Sequence, residues 1–222
     1  MGGDGRGLLE NAGGAFQMLW ALATPFLRRR RVRWGASAAE RERPWPGDDL
    51  VPAARWQFVH AIGVAAPATE VWPWMAQIGQ GRGGFYSYER LENLVGCGIR
   101  NADRVLADCQ DLAAIPGIRL AGRMPPMPLA RVEPGHGFVL YGGPAADGSG
   151  AGPVGSTSWG VFVEPDGPAA ARVISRQRAT YGRGWAAALT FGPWLLEPIS
   201  FVMDRKMLRG IKARAEGRLS AR

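Results

Sequence analysis

Residues 199–216, with the sequence ISFVMDRKMLRGIKARAE, decide the fold of this 222-residue chain. Apolar side chains recur there every four residues, a spacing that places them on one face of an α-helix. The charged residues Arg205, Arg209 and Lys212 lie off that face. The segment is therefore predicted to be a long amphipathic helix that packs against the rest of the protein. Its apolar stripe consists of Ile199, Met203, Met207, Ile211 and Ala215, with Leu208 beside them.

Short apolar runs broken by glycine and proline precede this helix, which is typical of strands joined by turns. The predicted strands span residues 118–121, 129–133, 138–141, 156–163 and 171–178, with hairpin loops at 142–155 and 165–167. An earlier strand, 55–64, alternates in polarity and places Phe58, His60 and Ile62 on one face. Two short helices follow it, one that begins near Pro67 and one over residues 86–95.

This order of elements predicts an α+β domain in which helices are segregated from an antiparallel sheet. We expect a helix-grip arrangement: a curved antiparallel sheet wrapped around the long C-terminal helix, with an internal apolar cavity between them. Residues 34–216 form the predicted domain and should fold alone. Residues 1–33 form a flexible N-terminal segment with a short apolar helix and a basic run, and residues 217–222 a C-terminal tail.

The N-terminal segment has a glycine-rich start, predicted to be mobile, and then an apolar run over residues 15–27, followed by five arginines within 28–33. The run is too short to span a bilayer, which takes about 20 residues. Its basic residues follow the apolar part, the reverse of a signal peptide. One interpretation is a peripheral membrane contact from Ala15 to Arg33, at the inner face of the membrane. The other is a helix packed on this protein or on a partner.

Composition limits the remaining classes. The formal net charge is +8, and only Lys206 and Lys212 among 27 basic residues are lysine. Basic residues of the C-terminal helix are interleaved with acidic ones, as on a solvated face, so no nucleic acid is expected. Two cysteines, Cys97 and Cys109, cannot build a disulfide scaffold or a four-cysteine zinc site, and they favour a cytoplasmic protein. We predict no metal and no cofactor.

Five stretches carry a resemblance to a known family: 71–74 (VWPW), 77–92 (QIGQGRGGFYSYERLE), 101–104 (NADR), 158–160 (SWG) and 203–216 (MDRKMLRGIKARAE). They resemble the START/Bet v 1-like (SRPBCC) superfamily, the helix-grip group that includes polyketide cyclase/dehydrase-type and lipid-transport proteins. The similarity runs from about residue 34 to 216 and is closest to a bacterial subgroup. The resemblance implies a cavity for a lipid-like or polyketide-like ligand, and it supplies no catalytic set.

Candidate ligand-binding residues combine this resemblance with the apolar and aromatic pattern. They are Trp72, Met75, Tyr86, Tyr88, Trp159, Arg176, Met203, Met207 and Ile211. The aromatic members could equally form core. Arg176 and Arg178 share one side of a strand, either facing inward towards an anionic ligand group or outward towards solvent.

Candidate catalytic residues are Glu92, Asp103 and Tyr86. A carboxylate beside an apolar pocket has its pKa raised by desolvation and can act as a general base. Alternatively, Glu92 forms an ion pair with Arg104. The leading hypothesis is a module that binds a hydrophobic small molecule. The alternatives are a cyclase, dehydratase or isomerase acting on a polyketide-like substrate, and a membrane-associated interaction protein.

Residues 79–84, GQGRGG, match the dinucleotide-binding pattern GxGxxG. Such a site needs the loop to leave a parallel strand and to open a helix. Here the loop follows a predicted helix, so a dinucleotide site is not expected. The remaining interpretations are a tight bend and a lip over the cavity, with Arg82 available for an acidic group.

Overall fold

The computed structural model describes residues 3–94, 96–143 and 155–218. Helices and strands occur in separate runs along the chain, as predicted for an α+β domain. The helices are α1 (Gly3–Ala23), α2 (Arg28–Arg31), α3 (Ala38–Glu42), α4 (Ala68–Ala76), α5 (Glu89–Leu94), α6 (Trp185–Phe191) and α7 (Leu196–Ala215). The strands are β1 (Trp56–Val64), β2 (Gly117–Ile118), β3 (Met127–Glu133), β4 (Gly137–Gly142), β5 (Thr157–Pro165) and β6 (Ala171–Ala179).

All six strands form one antiparallel sheet in the order β1-β6-β5-β4-β3-β2. Strand β6 pairs with β1 over nine residues, from Trp56 opposite Ala179 to Val64 opposite Ala171. A register shift between Leu129 and Arg131 interrupts the β3–β4 pairing, and such irregularities bend a sheet. Helix α7 packs against this sheet, so the predicted α+β arrangement of sheet and C-terminal helix is confirmed.

The two faces of the sheet are covered by different parts of the chain. The inner face packs against α4 and α7 and holds the main apolar cluster, which includes Val161, Val173 and Leu208. On the outer face, Trp45 stacks on Phe162 with ring centroids 5.0 Å apart, and its indole N–H donates to the Glu40 carbonyl at 2.8 Å. Residues before β1 therefore seal the side of the sheet that α7 leaves open.

The free edge of β1 is covered by the segment just before residue 35. The backbone N–H of Val59 donates to the Val32 carbonyl, and that of Ala61 donates to the Trp34 carbonyl, both at 3.0 Å. These bonds occupy groups that an edge strand would otherwise leave unpaired. The predicted domain boundary at residue 34 thus cuts through a docked segment. Independent folding of residues 34–216 stays a prediction.

Two local predictions differ from the structure, and one helix was not predicted. Helix α1 begins at Gly3, inside the stretch expected to be mobile. It ends at Ala23, two residues before Pro25, because proline has no N–H to donate to a continuing helix. Helix α5 begins at Glu89 rather than residue 86, because Tyr86 has a φ of 56° and cannot continue a right-handed helix. Helix α6 had no prediction. Most of the predicted loop 142–155, with Val95 and residues 219–222, lies outside the described residues.

Candidate functional site

The interface between sheet and α7 is made of tightly packed apolar side chains. Met75, Met207 and Ile211 are at most 2% exposed and belong to the main apolar cluster. Trp72 and Trp159 pack against the same cluster from its partly exposed rim. Six of the predicted ligand-binding residues, these five and Tyr86, are therefore brought together in or against one packed cluster. Two described pockets, of about 380 and 400 Å³, lie elsewhere: one against the outer face of the sheet, the other beside the start of β1.

Tyr86 is held in a strained conformation inside this interface. Its φ of 56° is rare for a bulky side chain. The Asn101 side-chain oxygen accepts from the Tyr86 backbone N–H at 2.6 Å, and the Tyr86 hydroxyl donates to the Trp74 carbonyl at 2.9 Å. Burial raises the pKa of that hydroxyl well above its ordinary value. The hydroxyl is therefore a neutral, structurally engaged donor.

Gly210 of α7 makes this arrangement possible. A Cβ at that position would lie 2.4 Å from both the Cβ and the carbonyl oxygen of Tyr86, far inside van der Waals contact. The absence of a side chain lets α7 approach the Tyr86 backbone directly. Strain of this kind is concentrated at functional or tightly determined positions.

Tyr88 and Met203 belong to a separate cluster beneath α1. Tyr88 packs with Ala21 and Phe201, and Met203 borders the same group. Helix α1 covers them, so these two residues pack beneath α1 and not in the cluster that contains Met207.

Arg176 lies on the outer face of the sheet, opposite α7. Its guanidinium Nε is 2.8 Å from Asp48 Oδ1, and it also donates to Gln57. The outward alternative is the one observed, because β6 alternates and its inner positions are taken by Ser175 and Gln177. Arg178 shares that outer face and donates to the Val51 carbonyl at 2.9 Å. Both arginines fasten the covering segment to the sheet.

Glu92 is the buried carboxyl of the helical corner. Ser87 Oγ donates to Glu92 Oε1 at 2.6 Å, while Oε2 is buried without a hydrogen-bond partner. Burial raises the pKa of Glu92, and the neighbouring Glu89 adds to the rise. Arg104 and Asp103 are both exposed, and the ion pairs among the described residues do not include one between Glu92 and Arg104. Glu92 thus retains the features of an acid–base group. Asp103 lacks them, because its side chain is exposed to solvent whereas that of Glu92 is buried.

A buried polar network ties α7 to the sheet and to the N-terminal segment. His60 Nδ1 lies 2.6 Å from Asp204 Oδ2, and His60 Nε2 lies 2.9 Å from the Arg31 carbonyl. Ser175 donates to the second Asp204 oxygen at 2.6 Å. The serine bonds the carboxylate rather than the histidine, so the trio does not form an activated nucleophile. Its role is to fix three elements together.

The sequence alone placed His60 on the inner face but missed its partner Asp204, which lies 144 positions away. The available signal was an acidic residue beside the apolar stripe of an amphipathic helix, with a buried histidine on the sheet that it covers.

The glycine-rich loop at 79–84 is a tight bend. Gly79 and Gly84 are bridged by backbone hydrogen bonds, and both have positive φ. Arg82 donates to the carbonyls of Ala76 and Cys109 at 3.0 and 2.6 Å. The guanidinium is therefore engaged by the protein, and the loop ends a helix without opening another.

Large apolar side chains stand exposed on the N-terminal segment and on α6 with the turn that leads into α7. We call this set the apolar patch: Phe16, Leu19, Trp20 and Phe26 of the N-terminal segment, with Trp185, Leu189, Trp194 and Leu195 of α6 and its following turn. Trp185 is 81% exposed and Phe26 is 78% exposed. Arg28, two residues after Phe26, pairs with the buried Glu197, two residues after Leu195, at 2.7 Å, which brings these ends of the two halves near each other. Large apolar side chains are more often buried in a folded protein, so this exposed set is a candidate interaction site.

The stretch Trp185–Ala215 is long and apolar enough, by length and composition alone, to cross a membrane. It is broken between α6 and α7, and α7 packs on the sheet of its own protein. Glu197 and Asp204 also make buried contacts with Arg28 and His60. Those contacts are characteristic of a helix folded into its own domain.

Comparisons with known proteins give no family. No protein-family model matches the chain, and no curated protein matches it. Among solved structures, the chain is similar to a protein from Arthrobacter aurescens, with 12% identity, a TM-score of 0.38, and coverage of 72% of this chain and 86% of that one. It is also similar to a Mycobacterium smegmatis protein, with 12% identity, a TM-score of 0.34, and coverage of 75% and 91%. These values are too low to carry an argument.

Proposed function

We propose that the protein binds a hydrophobic small molecule, lipid-like or polyketide-like, between the inner face of the sheet and α7, and that it acquires this molecule at a membrane surface. The apolar patch is the main support for the proposal. It exposes large apolar side chains to solvent, including those that directly precede α7, the helix that packs over the apolar interior. The sequence resemblance to the START/Bet v 1-like superfamily supports the same function.

We infer the ligand's path from the difference in burial between α6 and α7. Helix α6 has no buried residue, whereas α7 has nine. Beneath α6 lie Trp56 and Phe58, which belong to an apolar cluster with Leu196. Movement of α6 would expose this apolar surface at the mouth of the interior. Because the interior is packed in the observed conformation, uptake requires the interface to open.

Photolabelling tests the proposal without any substitution. A fatty acid with a diazirine on its acyl chain is irradiated with the protein, and labelled peptides are identified by mass spectrometry. We expect saturable labelling within residues 157–163 or 203–211, suppressed by excess unlabelled fatty acid. Labelling confined to residues 185–195 would restrict the apolar molecule to the surface and contradict an interior site. Absence of saturable labelling would contradict the function as a whole.

Glu92 favours a second candidate, a cyclase, dehydratase or isomerase acting on a polyketide-like substrate. The specific observation is its raised pKa together with its unpartnered oxygen. Glu92→Gln keeps the shape of the side chain but removes its proton chemistry. If the protein is an enzyme, this variant keeps apolar-ligand affinity and loses turnover. The measurement is the rate at which each protein converts candidate polyketide-like substrates. Equal rates for wild type and Glu92→Gln would contradict a catalytic role of Glu92.

A further inference from the structure

A pocket lined with arginines lies between the N-terminal segment, α3 and the start of β1. Its volume is about 400 Å³. The charged residues that line it are Arg28, Arg33, Arg41, Arg55, Arg176 and Glu42. Five guanidinium groups and one carboxylate line the pocket, and two of the five guanidinium groups pair with carboxylates outside the lining. Such a surplus of positive charge in a concavity concentrates anions.

Two of these arginines are uncommitted. Arg28 pairs with Glu197 and Arg176 pairs with Asp48. The Arg55 guanidinium sits 4.0 Å from the Tyr181 ring centroid and donates to backbone carbonyls. Within the described parts of the chain, the side chains of Arg33 and Arg41 form neither a hydrogen bond nor an ion pair.

The chemistry of these two side chains selects the ligand. A guanidinium presents several donors in a fixed fork that matches the oxygens of a phosphate group. Both Arg33 and Arg41 are exposed, so a ligand can reach them without a change of fold. The pocket is therefore suited to a phosphate that is accessible from the surface.

The position of the pocket identifies where that phosphate comes from. Arg28 lines the pocket and is bonded to Glu197, two residues after Leu195 of the apolar patch. Arg55, on another wall, is bonded to the carbonyls of Tyr181 and Gly182, just before α6. Trp56, also in the lining, donates to the carbonyl of Phe191 in α6. The pocket thus adjoins both halves of the patch.

A bilayer presents the same two chemistries side by side, apolar chains and then a layer of phosphate groups. We propose that Arg33 and Arg41 bind the phosphate of an anionic phospholipid while the apolar patch enters the membrane interface. This inference deepens the membrane part of the proposed function. It makes the N-terminal segment one half of a two-part docking surface, with α6 as the other.

Vesicle sedimentation tests the assignment. Wild type and Arg33→Gln/Arg41→Gln are compared on vesicles of phosphatidylcholine that contain about 30% phosphatidylglycerol, whose anionic surface attracts basic residues. The control is Arg104→Gln/Arg123→Gln, which removes the same charge from exposed residues outside the pocket. We expect the pocket variant to partition about thirtyfold more weakly, the effect of two cations at a charged surface. The control should change by less than about threefold, because screening limits distant charges.

Each other outcome overturns the inference. Equal losses in both variants would mean that net charge, not the pocket, drives binding. Strong wild-type binding to pure phosphatidylcholine, unchanged in the pocket variant, would leave the apolar patch alone responsible. If inorganic phosphate binds the wild type and not the pocket variant, while vesicle partition is equal, the pocket serves a free phosphate. Fatty-acid photolabelling is read separately, so failure of the arginine assignment leaves the proposed ligand site standing.

Discussion

The two ends of the C-terminal helical region have opposite surroundings. Towards the C-terminus, Met207, Leu208 and Ile211 are at most 2% exposed against the sheet and α4. Before the N-terminus of α7, Trp185 and Trp194 are 81% and 57% exposed. Glu197 and Asp204 anchor the helix between these two regions through Arg28 and His60. Those contacts fix α7 but not the exposed residues that precede it, and we propose that these exposed residues form the surface that meets a membrane.

The largest expected effect comes from the packed end. Met207→Ala should lower the free energy of unfolding by about 2–5 kcal/mol, because it leaves a cavity in a packed cluster. Trp185→Ala, at the exposed end, should change it by less than about 0.5 kcal/mol. Chemical denaturation followed by circular dichroism measures both. Similar values for the two variants would remove the contrast between the two ends.

Gly210→Ala should cost about 1–3 kcal/mol, since the new methyl group meets the Tyr86 backbone and forces α7 outward. A matched control is Gly13→Ala in α1, where an added Cβ meets nothing within 4 Å. That control should be neutral or stabilising, because alanine favours a helix over glycine. Equal destabilisation of both variants would contradict the close approach of α7 to Tyr86.

Glu92 gives a pH-dependent prediction of smaller size. Its pKa is raised in the folded protein by burial, so the folded state favours the protonated form. Its contribution to stability is then full below the unfolded pKa, about 4.3, and is lost as pH rises to the folded pKa. Glu92→Gln should therefore become more stabilising, relative to wild type, as pH increases through that range. Unfolding curves collected from pH 4 to 7 measure this, and a pH-independent difference would show that Glu92 is unperturbed.

The fold was predictable because its signals are local. A four-residue apolar period in the C-terminal segment and the alternation of residues 55–64 depend only on neighbours in sequence, and both elements are observed. The bend at residues 79–84 was also among the interpretations, since glycine permits positive φ there.

The site was predicted less well because its determinants join distant parts of the chain. Which face of β6 turns towards α7 decided the direction of Arg176, and its partner Asp48 lies 128 positions earlier in the chain. Met203 and Met207 lie in different clusters because α1 docks over Met203. The sequence could not predict this, since the apolar run at residues 15–27 was compatible with either a membrane contact or a packed helix. Helix α6 was missed because its seven residues, WAAALTF, do not show the amphipathic period that a buried helix requires.

The most direct test compares the packed part of α7 with the exposed residues that precede it. It measures how strongly a variant altered only in those exposed residues partitions into membranes. Trp185→Ser/Trp194→Ser is compared with wild type and with Val105→Ser/Met124→Ser, whose exposed apolar residues lie outside the patch. Sedimentation uses vesicles of phosphatidylcholine with phosphatidylglycerol. The account predicts that the patch variant keeps its unfolding midpoint and partitions at least about tenfold more weakly, since each large apolar side chain contributes about 1.5–3 kcal/mol when buried. Wild-type partition in the patch variant, or an equal loss in the control, would contradict it.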